Sequence, residues 1–68
     1  MDGWTKISDY GWTHPTGWTI DRYFQNGVEN FMLWHGTETQ GRRKSFAEVV
    51  ALHRELVANA GGEHGNAS

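Results

Sequence analysis

Residues 18–35 read WTIDRYFQ-NG-VENFMLWH, and this stretch decides the fold. Two runs rich in aromatic and β-branched residues flank Asn26-Gly27, a pair that suits the tight turn of a β-hairpin. A two-residue turn also sets the register of the two strands. The expected cross-strand pairs are Gln25–Val28, Arg22–Phe31, Ile20–Leu33 and Thr19–Trp34.

This register puts apolar residues on both faces of the hairpin. The first face holds Trp18, Ile20, Phe24, Phe31 and Leu33, and the second holds Tyr23, Val28, Met32 and Trp34. A single helix covers only one face. Two interpretations of the second face stay open. Either the N-terminal segment folds back so that Trp4 or Trp12 covers it, or it is an uncovered aromatic patch of the kind found at protein interfaces.

An amphipathic helix is predicted over residues 45–60. Ser45 followed by Glu48 is a capping box, and Gly61-Gly62 is a typical stop signal. Its expected apolar stripe consists of Phe46, Val49, Val50, Leu56, Val57 and Ala60, with Leu52 at the edge. His53 falls inside this stripe, which predicts a packed histidine paired to a tyrosine, a backbone carbonyl or an indole.

The expected fold class is α+β, a small antiparallel sheet of two to four strands packed against one C-terminal amphipathic helix. The 68 residues are expected to form one domain over 1–60. Its parts are an aromatic arm (1–16), the hairpin with a further segment (17–44) and the helix (45–60), followed by a flexible tail (61–68). Residues 40–44 are either a short third strand or a basic loop.

Three Gly-Trp-Thr units begin at Gly3, Gly11 and Gly17. Their spacings of eight and six residues are unequal and shorter than those of solenoid repeats, so they do not predict a structural repeat. Coincidence or local strand preference accounts for them.

Composition excludes several classes of protein. The chain contains no cysteine, which rules out disulfides and thiolate metal sites and is typical of a reducing cytoplasm. Six Lys and Arg against eight Asp and Glu give a net charge of −2, so no general attraction to nucleic acid or to anionic lipid is expected. No apolar run reaches the roughly 20 residues that a membrane span needs. We expect a cytoplasmic protein without a membrane partner.

No residue pattern predicts catalysis. The sequence lacks a nucleophile motif, a phosphate-binding loop and a pair of carboxylates at a recognisable spacing. Its four histidines lack the i, i+4 pairing that places two imidazoles on one metal ion. The expectation is a protein that is not an enzyme and has no cofactor and no metal site.

The predicted partner-binding set combines the second hairpin face with the basic cluster that precedes the helix. It consists of Tyr23, Met32, Trp34, Arg42, Arg43 and Lys44. Aromatic residues and arginine are common anchors of protein interfaces. The alternative is a DNA- or RNA-binding module that uses the Arg42–Lys44 turn and aromatic stacking. A homodimer formed through the indole face is a third interpretation.

The chain also resembles a group of known proteins. GWTHPTGWTI (residues 11–20), the Asn-Gly hairpin, LWHG (33–36) and SFAE (45–48) resemble small uncharacterised proteins encoded by bacteriophages and prophages. The likeness spans about residues 11–58 and a shared hairpin-then-helix layout. It implies a non-enzymatic accessory protein in the host cytoplasm. Such a protein would inhibit or modulate a host protein or complex, for example RNA polymerase or a defence complex.

Overall fold

A computed structural model describes the backbone of residues 3–66 and the side chains of residues 3–59. Five antiparallel strands form one sheet in the order β1-β2-β3-β4-β5, and a single helix follows. The elements are β1 (Thr5–Ser8), β2 (Gly11–Thr13), β3 (Trp18–Gln25), β4 (Val28–His35), β5 (Glu38–Arg43) and α1 (Phe46–Asn66). The α+β class is confirmed, whereas the sheet has five strands instead of two to four.

The central hairpin forms as its sequence predicts. Asn26 and Gly27 have φ angles of 54° and 77°, the left-handed backbone that a two-residue hairpin turn requires. The four expected cross-strand pairs of β3 with β4 are confirmed. The two apolar faces of the hairpin are therefore assigned correctly.

The additional strands come from segments with weak sequence signals. The expected arm contributes β1 and β2, which extend the sheet beyond β3. These strands are only four and three residues long, too short for alternation of apolar and polar residues to be recognised. On the other side, β5 pairs with β4, so the segment left open between strand and loop is a strand up to Arg43.

Both outer strands of the sheet are interrupted. The pairing of β1 with β2 shifts register between Lys6 and Ser8, and the pairing of β4 with β5 shifts between Leu33 and Trp34. Such bulges bend an edge strand and make it a poor template for a further strand.

The start of α1 is confirmed, whereas its end differs from the prediction. Ser45 Oγ accepts a hydrogen bond of 3.1 Å from the backbone N–H of Glu48, as an N-cap does. The helix does not end at Ala60 but continues through Gly61-Gly62 to Asn66, because glycine weakens a helix without necessarily breaking it. Residues 67–68 of the expected flexible tail, and the side chain of Ala60, lie outside the described residues.

The core lies between the sheet and α1. Ile20, Leu33 and Val49 are fully buried at its centre. The surrounding buried apolar residues are Trp4, Phe31, Val50 and Leu52. His53 packs on Trp18, the first residue of β3, so by that point the helix has reached the end of the sheet.

Two apolar residues predicted to face the core lie outside it. Val57 is 46% exposed because it lies beyond the point where α1 leaves the sheet. Phe24 is 54% exposed because it lies near the turn between β3 and β4, beyond the start of α1. In the described part of the chain, no helix has the length and apolar character that crossing a membrane requires.

Candidate functional site

The sheet has one face covered by α1 and one face on which the described residues place no second layer. We call the latter the open face. Residues directly paired in an antiparallel sheet point to the same side, so the register assigns its members. They are Thr5, Ser8, Gly11, Thr13, Thr19, Asp21, Tyr23, Gln25, Val28, Asn30, Met32, Trp34, Thr39 and Arg42. Ile7, in the bulge of β1, joins them because its side chain lies beside the Cβ position of Gly11.

The tryptophans of the expected arm do not cover the open face. Trp12 pairs with Ile20 and packs its ring 4.7 Å from that of Phe46 on the helix side. Trp4 is 8% exposed and packs 5.0 Å from the ring of His53 on α1. The interpretation that Trp4 or Trp12 covers the second hairpin face is therefore wrong. These indoles are needed on the other side, where the helix alone does not span five strands.

The three Gly-Trp-Thr units occupy equivalent positions in the sheet. Strand alternation sends each indole to the helix side and the following threonine to the open face. The register then aligns the three threonines side by side, Thr5 with Thr13 and Thr13 with Thr19. The row continues through Trp34 to Thr39 across all five strands. The unequal spacing of the units hides this arrangement. The row crosses β1 at its first residue, on the far side of a bulge from the turn, whereas it crosses β2 at its last residue.

Aromatic and aliphatic side chains and one methionine form the apolar part of the open face. Tyr23, Met32 and Trp34 are half-buried. Ile7 is 61% exposed and lies over Gly11. A Cβ atom added to Gly11 would be 3.3 Å from Cγ1 of Ile7. Tyr23 Oη and Trp34 Nε1 are covered by neighbouring atoms and have no hydrogen-bond partner among the described residues. What the two rings expose is therefore carbon, which suits apolar contact.

The three predicted basic residues do not share a face. Arg42 pairs with Met32 on the open face, and its Nη1 donates to Gln25 Oε1 at 3.2 Å. Arg43 pairs with Phe31 on the helix side, and its Nη1 donates to the Arg42 carbonyl at 2.6 Å. Lys44 follows β5 in the bend before α1. Of the predicted set, Tyr23, Met32, Trp34 and Arg42 lie together.

The open face is nearly neutral. Among its assigned residues, Asp21 is the acid and Arg42 the base. Neither has an opposite charge within ion-pair distance among residues 3–59, where Lys6–Asp9 and Arg22–Glu29 do form ion pairs. A phosphate-binding surface normally carries several basic residues.

A cluster of rings closes one end of the core, and the sequence did not indicate it. Trp18 stacks on His35 with ring centroids 4.2 Å apart and meets His53 edge-on at 4.8 Å. Trp4 and His14 also pack against the imidazole of His53. His53 is 7% exposed and lies against two indoles, so its interpretation as a packed histidine is confirmed. Among the described residues no three His, Asp or Glu side chains are grouped to hold a metal ion.

A second aromatic group lies at the other end of the sheet, on the helix side. The guanidinium of Arg22 lies 5.4 Å from the ring centroid of Tyr10 and 5.2 Å from that of Phe24. Its Nε also donates to the Glu29 carboxylate. Tyr10 and Phe24 are more than half exposed. They form an exposed aromatic surface distinct from the open face. This surface serves as a control when the role of the open face is tested.

Comparison of the chain with family models, with curated proteins and with solved structures finds no match.

Proposed function

We propose that this protein is a non-enzymatic accessory protein that binds another protein through the open face. In the favoured setting it is phage-encoded and binds a host protein or complex, which it inhibits or modulates by occluding part of its surface. The observation that carries the proposal is the position of Tyr23, Met32 and Trp34 on a face that no described element covers.

The chemistry of this face favours apolar contact. Tyr23 and Trp34 keep their polar atoms covered, and Met32 lies between the rows to which they belong. Methionine adapts its shape to different partners, and aromatic rings provide rigid contact area. Around them, the threonine row offers hydroxyls for a polar rim. This combination is typical of a protein interface with an apolar centre.

The edges of the sheet favour binding through the face over binding by strand addition. A partner that adds a strand needs a straight edge with free backbone groups. The bulges between Lys6 and Ser8, and opposite Leu33 and Trp34, interrupt both outer strands. The open face has no such interruption along β3 and β4, which pair without a shift over eight residues each.

The distribution of charge argues against the nucleic-acid alternative. Arg43 lies on the helix side and Lys44 outside the strand, so of these three bases Arg42 accompanies the aromatic residues. Asp21 lies on the same face and would repel a phosphate backbone. A partner protein meets both charges without this penalty.

Affinity capture from a bacterial lysate tests the proposal. The bait proteins are the wild type, Met32→Arg and Trp34→Ala, with Phe24→Ala as the matched control from the other exposed aromatic surface. We expect the same bound protein, identified by mass spectrometry, with the wild type and Phe24→Ala. Both open-face variants should lose it. Circular dichroism of each bait checks that the fold is retained.

Two results would count against the open face. Loss of the bound protein with Phe24→Ala but not with Met32→Arg would move the interface to the Tyr10–Phe24 surface. Binding of labelled DNA or RNA that weakens steeply as salt rises would favour the nucleic-acid module instead. Nuclease treatment of the lysate separates these two cases.

A further inference from the structure

Two opposite charges flank one residue at the centre of the open face. Met32 in β4 pairs with Asp21 in β3 on one side and with Arg42 in β5 on the other. The three residues thus form a row across three neighbouring strands. Asp21 and Arg42 are both exposed, and neither is neutralised by an ion pair among residues 3–59.

This arrangement is complementary to itself. When two identical sheets pack face to face in a symmetric dimer, a two-fold axis that lies in the plane between them relates the two copies. If that axis runs along β4, it places β3 of one copy over β5 of the other. Asp21 then faces the Arg42 of the second copy, and Arg42 faces its Asp21. An axis across the strands would instead bring like charges together, so the charges select one orientation.

The same orientation brings the apolar residues of β4 together. Met32 and Trp34 lie on the axis, so each meets its own counterpart. Thr19 in β3 and Thr39 in β5 flank Trp34 symmetrically and therefore face each other across the interface. The resulting interface has apolar residues at its centre and charged and hydroxyl groups at both sides. This is the usual layout of a protein interface.

We infer that the open face binds a second copy of this chain and forms a two-fold symmetric dimer with its axis along β4. The inference rests on the proposed function, since it assigns an occupant to the same surface. The dimer forms as the protein concentration rises, and a host protein competes with the second copy for the face. Five strands spaced about 4.8 Å apart form a narrow face. Its area is small compared with the roughly 800 Å² that each partner buries in a stable complex. Exchange between monomer and dimer is therefore concentration-dependent.

Sedimentation of charge variants tests the dimer. The wild type should approach twice the monomer mass as the concentration rises from micromolar to millimolar. Asp21→Arg and Arg42→Asp should each remain monomeric, because each variant places like charges opposite one another. An equimolar mixture of the two should recover the dimer mass, since the two arginines of one chain then face the two aspartates of the other. Glu55→Arg, on the exposed side of α1, changes the net charge as Asp21→Arg does and should dimerise normally.

The outcomes separate the dimer from the proposed function. A wild type that stays monomeric over the whole range overturns the dimer, while lysate capture through Met32 and Trp34 would still support protein binding. Dimers of unchanged stability in both single variants, or no recovery in the mixture, would overturn the orientation and with it the inference. Circular dichroism and thermal unfolding of each variant exclude misfolding as the cause of a monomer.

Discussion

Gly41 in β5 lies directly beneath Leu52 of α1. A Cβ atom added to Gly41 would come within 3.0 Å of Leu52 Cδ2. The backbone at Gly41 also has a φ of +144°, a conformation that side chains with a Cβ rarely adopt. The helix approaches the sheet closely at this point because one residue has no side chain, and this contact seats α1 on β5.

Gly41→Ala should therefore destabilise the fold. The added methyl group crowds Leu52 Cδ2, and the residue has to adopt a backbone conformation that side chains with a Cβ rarely take. Overpacking and backbone strain of this kind cost roughly 1–3 kcal/mol. The measurement is urea-induced unfolding followed by tryptophan fluorescence. Gly36→Ala is the control, because Gly36 also has a positive φ, +64°, but nothing lies within 4 Å of its added Cβ. Equal losses in the two variants would show that backbone strain alone acts at Gly41.

The N-cap of α1 provides a second test of stability. Ser45→Ala removes the hydroxyl that accepts the Glu48 N–H, and the unfolding free energy should fall by about 1 kcal/mol. Ser45→Asp should retain most of the stability, since its carboxylate accepts the same bond and suits the positive end of the helix dipole. A similar loss in both variants would mean that the cap is not what Ser45 contributes.

Truncation of two indoles should separate the two faces of the sheet. Trp18 packs against His53 and His35 at the end of the core, so Trp18→Ala should lower the unfolding free energy by roughly 3–5 kcal/mol. Trp34 lies on the open face without a second layer, so Trp34→Ala should lower it by roughly 1–2 kcal/mol. Chemical denaturation measures both. Equal losses would make Trp34 a core residue and remove the basis for its role in binding.

The hairpin could be predicted in full because Asn26-Gly27 fixes both the turn and the register. The positions of Trp4 and Trp12 could not, since they depend on how β1 pairs with β2 and how β2 pairs with β3. The pairing of β2 with β3 is set by the turn after His14, where Gly17 N–H donates to the His14 carbonyl at 3.0 Å. Short strands leave no periodic pattern from which such a pairing can be deduced.

The candidate site was predictable only in part for the same reason. Tyr23, Met32 and Trp34 belong to the hairpin, so their shared face follows from its register. Arg42 joins them, and Arg43 does not, because β5 is a strand with a bulge opposite Leu33 and Trp34. One residue more or fewer in that bulge would exchange the two arginines between faces. The row of Asp21, Met32 and Arg42 likewise appears only once β5 is in place.

The phenol of Tyr23 offers a test of how the open face is built. Its hydroxyl oxygen is covered and has no hydrogen-bond partner among the described residues. A buried polar group without a partner costs about 1–3 kcal/mol. Tyr23→Phe should therefore leave the unfolding free energy unchanged or raise it, and thermal and urea unfolding measure the change. Because the ring exposes only carbon to a partner, capture of the bound protein should also be unchanged. A loss of stability would reveal a hydrogen bond from the hydroxyl, and a loss of capture alone would show that the partner reaches that oxygen.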